Sequence, residues 1–190
     1  SKLAVYSNAH ALARYAALVQ EANMVPIVEP EVLMDGYHSA KECYNKTSDV
    51  IRICFDELIL NKVDLKGIIL KPNMIIAGNK SKEKISGDEV AKLTIECLKN
   101  SVPNEVPGIA FLSGGQSEVE ATENLNLINK FNTTNFIMTY SYGRALQQSA
   151  LTHWSKNIDD IIGTQKIFNH RAEMNTLAAQ GKWSKHFEKE

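Results

Sequence analysis

Four short apolar runs punctuate the chain, and stretches of helical period fill the intervals between them. The runs lie at 25–28, 67–70, 108–112 and 136–140, and each reads as a strand. Residues 3–21, rich in Ala and Leu, read as an opening helix. The later helices share a start signal: Ser39 precedes Glu42 by three residues, as Ser86 precedes Glu89 and Ser117 precedes Glu120. Each pair fits a capping box, in which serine and glutamate satisfy one another's orphan amides. Behind the caps come Val50, Ile51, Cys54 and Leu58, then Val90, Leu93 and Cys97, then Ala121, Leu125 and Ile128. Such stripes are core faces. Alternation of these helices with nearly uninterrupted apolar strands predicts an α/β fold with a parallel sheet.

Composition removes several function classes. The 190 residues are 44% apolar and carry 21 basic against 22 acidic side chains. That is enough material for a sizeable core. It leaves no electrostatic footprint for nucleic acid or an anionic membrane. No apolar run reaches the roughly 18 residues of a transmembrane helix, and no signal-peptide pattern opens the sequence given. Cys43, Cys54 and Cys97 are odd in number and fall in helical segments, so they read as buried free thiols of a reducing compartment. The five histidines show neither HExxH nor CxxC company, which predicts no protein-bound metal.

The strand ends carry the chemistry. The first run closes on Glu29-Pro30-Glu31, the second on Lys71, the third on Ser113-Gly114-Gly115 and the fourth on Ser141-Tyr142-Gly143-Arg144. Taken singly, each has a mundane reading: a solvated turn, a lysine snorkelling from a strand end, a tight turn, a surface arginine. Strands of a parallel βα array all point one way, however, so these groups converge on the rim where such folds assemble their sites.

Together they suit a phosphorylated carbonyl compound. A neutral Lys71 amine attacks a ketone, and loss of water from the carbinolamine needs an acid that Glu29 or Glu31 can supply. The protonated imine is an electron sink for breaking the adjacent carbon–carbon bond. The amides of Ser113, Gly114 and Gly115 ahead of a helix suit a phosphate. Gly143 permits close backbone approach, and Arg144 adds a bidentate cation.

Four segments resemble class I fructose-1,6-bisphosphate aldolase, in that family's order and spacing. They are Val25-Pro26-Ile27-Val28-Glu29-Pro30-Glu31, Leu70-Lys71-Pro72-Asn73-Met74, Phe111-Leu112-Ser113-Gly114-Gly115-Gln116-Ser117-Glu118 and Ser141-Tyr142-Gly143-Arg144-Ala145-Leu146-Gln147. Lesser echoes are Ala11-Leu12-Ala13-Arg14-Tyr15-Ala16 and Gly181-Lys182-Trp183, so the resemblance spans nearly the whole chain. It implies a (β/α)8 TIM barrel of glycolysis and gluconeogenesis, cytoplasmic and homotetrameric at full length. Such an enzyme cleaves fructose 1,6-bisphosphate reversibly to dihydroxyacetone phosphate and glyceraldehyde 3-phosphate, without metal or other cofactor. By the same resemblance Lys71 matches the Schiff-base lysine, Glu29 the acid and base, and Glu31 its supporting carboxylate. Ser113, Gly114, Gly115, Ser141, Gly143 and Arg144 match the site for the ketose and its phosphate.

A (β/α)8 barrel takes about 200 to 250 residues or more, and four strands are visible. The expectation is therefore that residues 1–190 supply the C-terminal four strand–helix units of one barrel domain, with 157–190 as its last helix and tail. The other half would carry an aspartate, a second lysine and an arginine of the site. The family's terminal tyrosine has no match in Lys185-His186-Phe187-Glu188-Lys189-Glu190. That leaves preference between bisphosphate and monophosphate open. Two alternatives stand beside this expectation: a catalytically silent partial barrel that binds or assembles, and another Schiff-base sugar-phosphate aldolase.

Overall fold

The computed structural model describes residues 1–189; Glu190, the end of the expected tail, lies outside the described residues. In chain order the elements are α1 (Lys2–Glu21), β1 (Ile27–Val28), α2 (Ala40–Leu60), β2 (Ile69–Leu70) and α3 (Gly87–Ser101). There follow β3 (Gly108–Phe111), α4 (Glu118–Phe131), β4 (Ile137–Tyr140), α5 (Arg144–Lys156) and α6 (Ile161–Ala179). The four strands form one parallel sheet in the order β1-β2-β3-β4. Sequential parallel neighbours joined by helices are the repeating unit of a βα barrel.

The helices begin where their caps dictate. Ser39 N–H donates to Glu42 Oε2 at 2.7 Å while Glu42 N–H donates to Ser39 Oγ at 3.1 Å, and the Ser86–Glu89 and Ser117–Glu120 pairs repeat the exchange. Hydrogen bonds from the Ser39 and Ser86 backbones hold the Glu42 and Glu89 carboxyls below the usual range. The strands are shorter than the apolar runs. Val25 is exposed and stands outside β1, while Gly67 closes a 3-10 turn, Leu65–Gly67, capped by the Asp64 side chain. Leu112 and Phe136 flank β3 and β4, though Leu112 N–H still donates to Pro72 O at 3.1 Å.

The two faces of the sheet differ in kind. Val28, Leu70, Ile109, Phe111 and Met138 point outward and pack with Ile51, Leu58, Leu98, Leu125 and Ile128 of the helices into one core. Successive strand residues alternate sides. Ile27, Ile69, Gly108 and Ile137, which are in register, therefore share the opposite face. Glu29 and Lys71, two residues further along their strands, rise from that same face at its C-terminal rim.

Past α6 the chain is anchored by polar groups. Arg171 donates to Glu188 through both terminal nitrogens, at 3.0 and 2.5 Å, and to Thr122 Oγ1 at 3.2 Å. Trp183 Nε1 donates to Glu188 Oε1 at 2.9 Å, and Trp183 N–H to Asn126 Oδ1 at 3.0 Å. These bonds fix a 3-10 segment, Lys185–Lys189, against α4 and α6.

Candidate active site on the C-terminal rim

All nine residues singled out from the strand ends line one cleft of about 440 Å³: Glu29, Glu31, Lys71, Ser113, Gly114, Gly115, Ser141, Gly143 and Arg144. Lys71 follows β2 directly, and its Nζ lies 3.0 Å from Glu29 Oε2. The lysine side chain is 18% exposed and the glutamate 48%, so the amine is the better shielded partner. Glu31 sits two residues beyond Glu29 on the same wall.

The third strand end is a tight turn. Ser113 O accepts from Gln116 N–H at 3.1 Å and from Gln116 Nε2 at 2.8 Å, while Gln116 Oε1 accepts from the buried Asn124 at 2.7 Å. Gly114 and Gly115 have φ of +52° and +73°, the left-handed region that glycine enters without penalty. The turn leads into the Ser117 cap of α4, so Ser113, Gly114 and Gly115 line the cleft just ahead of a helix start. At the fourth strand end, Gly143 caps α5 with no side-chain hydrogen bond. Arg144 opens that helix at the cleft wall. Two contacts hold this corner: the buried Tyr142 hydroxyl donates to Ala121 O at 2.9 Å, and Ser149 binds Glu118 through its N–H at 2.9 Å and its hydroxyl. Burial raises the Tyr142 phenol well above its ordinary range, so it acts as a neutral donor.

Five lining residues were not anticipated: Leu33, Met34, Asp35, Asn79 and Leu112. The loop after β1 is stitched to the loop after β2. Asn79 N–H donates to Met34 O at 2.9 Å, Asn79 Nδ2 to Asp35 Oδ1 at 2.9 Å, and Gly36 N–H to Asn79 Oδ1 at 3.2 Å. A Cβ on Gly78 would collide with Gly36 O, so the two loops approach at backbone contact. The pairs Asp35-Gly36 and Gly78-Asn79 are turn signals in the sequence, but nothing local says that the turns meet. Met34 lies over Gly115 as a result. Among the described residues, no group of three or more His, Cys, Asp or Glu side chains is placed to hold a metal ion.

Chemically, the cleft joins an amine with an adjacent carboxylate to a glycine turn and an arginine. Amine, carboxylates, glycine turn and arginine thus share one cleft, at strand ends fixed by a common core. A four-stranded parallel sheet with its helices on one face and this cleft on the C-terminal rim is part of a βα barrel with a lysine-centred site.

Comparison with known proteins places that architecture. The family model described as class I fructose-bisphosphate aldolase matches residues 1–190, and the chain belongs to this family. A probable fructose-bisphosphate aldolase class 1 of Xylella fastidiosa is 46% identical over 184 residues, covering 96% of this chain and 55% of the relative. Fructose-bisphosphate aldolase C of Rattus norvegicus is 47% identical over 184 residues, covering 96% and 51%. A cytosolic fructose-bisphosphate aldolase of Arabidopsis thaliana is 46% identical over 182 residues, covering 95% and 46%. Among solved structures, a Plasmodium falciparum fructose-bisphosphate aldolase, crystallised with TRAP and a small-molecule inhibitor, superposes with a TM-score of 0.94 at 43% identity. It covers 97% of this chain and 53% of that one. The chain therefore spans about half the length of the relatives it matches.

Proposed function

We propose that these residues are the imine-forming half of a class I fructose-bisphosphate aldolase barrel, which cleaves fructose 1,6-bisphosphate reversibly to two triose phosphates. The observation that carries this reading is the 3.0 Å pairing of Lys71 Nζ with Glu29 at the mouth of the cleft. Glu29 takes a proton from the ammonium and frees its lone pair, which attacks the ketone carbon of the substrate. Glu29, supported by Glu31, then returns a proton to the carbinolamine hydroxyl as water leaves. The resulting iminium takes up the electrons of the neighbouring carbon–carbon bond as it breaks and becomes an enamine. The hydroxyl on the departing carbon gives its proton to the aspartate expected from the other half of the barrel, and that carbon leaves as an aldehyde. The Ser113–Gly115 amides, Ser141, Gly143 and Arg144 hold the phosphate and hydroxyls of the ketose, which keeps its carbonyl against the amine.

The remaining strands of the barrel, a homotetrameric full-length protein and a cytoplasmic location belong to the same proposal and rest on the family. By itself the 190-residue chain turns over fructose 1,6-bisphosphate slowly or not at all, because it spans about half the length of the aldolases it matches.

Borohydride reduction with dihydroxyacetone phosphate tests the imine. The expected result is a stable adduct whose mass maps to Lys71 and which is absent in Lys71→Met. A folded chain that never forms that adduct overturns the proposal. Formation of products other than triose phosphates by the full-length enzyme points instead to another Schiff-base aldolase.

A further inference from the structure

We propose that Asn73 is a positioning residue whose side-chain amide sets the carboxylate loop of β1 against the lysine end of β2. The backbone ladder between these strands ends where Lys71 N–H donates to Val28 O at 2.8 Å. The next rung is missing because Pro30 has no N–H to give, while Pro72 faces β3, where its carbonyl accepts from Leu112 N–H at 3.1 Å. Asn73 replaces the missing rung. Its Oδ1 accepts from Val32 N–H at 3.0 Å, and its Nδ2 donates to Thr47 Oγ1 at 3.0 Å and to Met74 O at 3.1 Å.

The orientation of the amide is fixed by chemistry, since Val32 N–H can only donate and so must meet the oxygen. Asn73 is 4% exposed and Thr47 2%, so water does not take the place of either partner. A continuous chain of bonds thus runs from Thr47 in the middle of α2, through the residue two beyond Lys71, to the residue next to Glu31. Asn73 does not line the cleft. Its influence passes through Val32 to the adjacent Glu29-Pro30-Glu31 segment, while the Asn79 bonds hold the same loop further on, at residues 34–36. The inference rests on the proposed imine chemistry for its functional meaning, while the strut itself rests on geometry alone.

The test compares Asn73→Ala, Thr47→Val and Thr47→Ser in this chain with two readouts. One is hydrogen exchange of the Val32 amide. The other is the rate of borohydride trapping across a range of dihydroxyacetone phosphate concentrations. Asn73→Ala is expected to speed Val32 exchange and to slow saturated trapping, each by about tenfold. The half-saturating concentration should stay within about twofold, since the interaction does not bind ligand. Thr47→Val moves both readouts the same way, and Thr47→Ser restores them. A general loss of structure would instead speed exchange throughout α2, so the Val32 amide is read against those neighbours. Unchanged Val32 exchange in Asn73→Ala, or trapping that falls only through weaker ligand binding, overturns the positioning role. If the unsubstituted chain forms no Lys71 adduct, the proposed function fails, and Val32 exchange still decides whether the strut exists.

Discussion

At Gly115 the cleft asks for one residue type for two separate reasons. Its φ of +73° costs any L side chain about 1–2 kcal/mol, and a Cβ there would overlap Met34 Sδ. Gly115→Ala is accordingly expected to lower stability by about 1–2 kcal/mol from backbone strain, read as a shift of the urea midpoint. Met34 is a flexible side chain, so adding Met34→Ala relieves the overlap but leaves the strain. Full recovery in the double variant would refute the strain account. The thiols make a second prediction at this scale. Burial pushes Cys54 up to about 12 and Cys97 up to about 11, and raises Cys43 as well. The thiolate is the reactive form, so a disulfide reagent at neutral pH should titrate none of the three in the folded chain and all three in denaturant. Rapid labelling of any one under native conditions would contradict this. The convergence of the nine candidate residues on one cleft was legible in the sequence because each stands at or just past a strand end. Asn73 and Thr47 were not, because 26 residues separate their bonded side chains and no spacing rule links a helix interior to a strand end.

Helices announced themselves better than the segments that follow them. The capping boxes and apolar stripes are local signals, repeated every three or four residues, and all three caps form as the spacing predicts. Strand limits were less legible, since an apolar run extends into residues such as Val25 that the ladder does not pair. The tail segment Lys185–Lys189 had no periodic signal at all; its place depends on Arg171 meeting Glu188. That contact has a pH consequence. Burial works to raise the Glu188 carboxyl, but the hydrogen bond and charge of Arg171 outweigh it and hold the group below its ordinary 4.5. A carboxyl lowered on folding contributes stability that is fully present above the unfolded value and is lost as pH falls through the folded one. The tail should therefore stay docked from neutral pH down to about 4.5 and release below it. Because Trp183 bonds to Glu188, its fluorescence in a Trp154→Phe background reports the release. Arg171→Met should move the transition upward in pH, and an acid transition unchanged by that substitution would sever the link.

The whole molecule presents a helix-covered side and an open one. Ile137 is 74% exposed, and Ile27 shares its face across the register. Beside β1 stand Leu18, Met24 and Val25, and on the β4 side Leu151, Trp154, Ile158, Ile161 and Ile162, all exposed. The outer strands of the described sheet also present unpaired backbone groups, which are templates for further pairing. Parallel order and helix placement followed from the sequence because each βα unit repeats its own pattern. The closure of a barrel did not, since it depends on how many such units exist rather than on any one of them. Unpaired edges flanked by apolar patches favour association, so this chain by itself should sediment above its monomer mass of 21.2 kDa at micromolar concentration. Replacing Ile27 and Ile137 together with lysine charges the open face without touching the helix-side core, and should return the chain toward a monomer with unchanged helix content. A chain that stays monomeric before substitution, across the same concentrations, would show that its edges are blunted in solution and that the exposed face is no template for pairing.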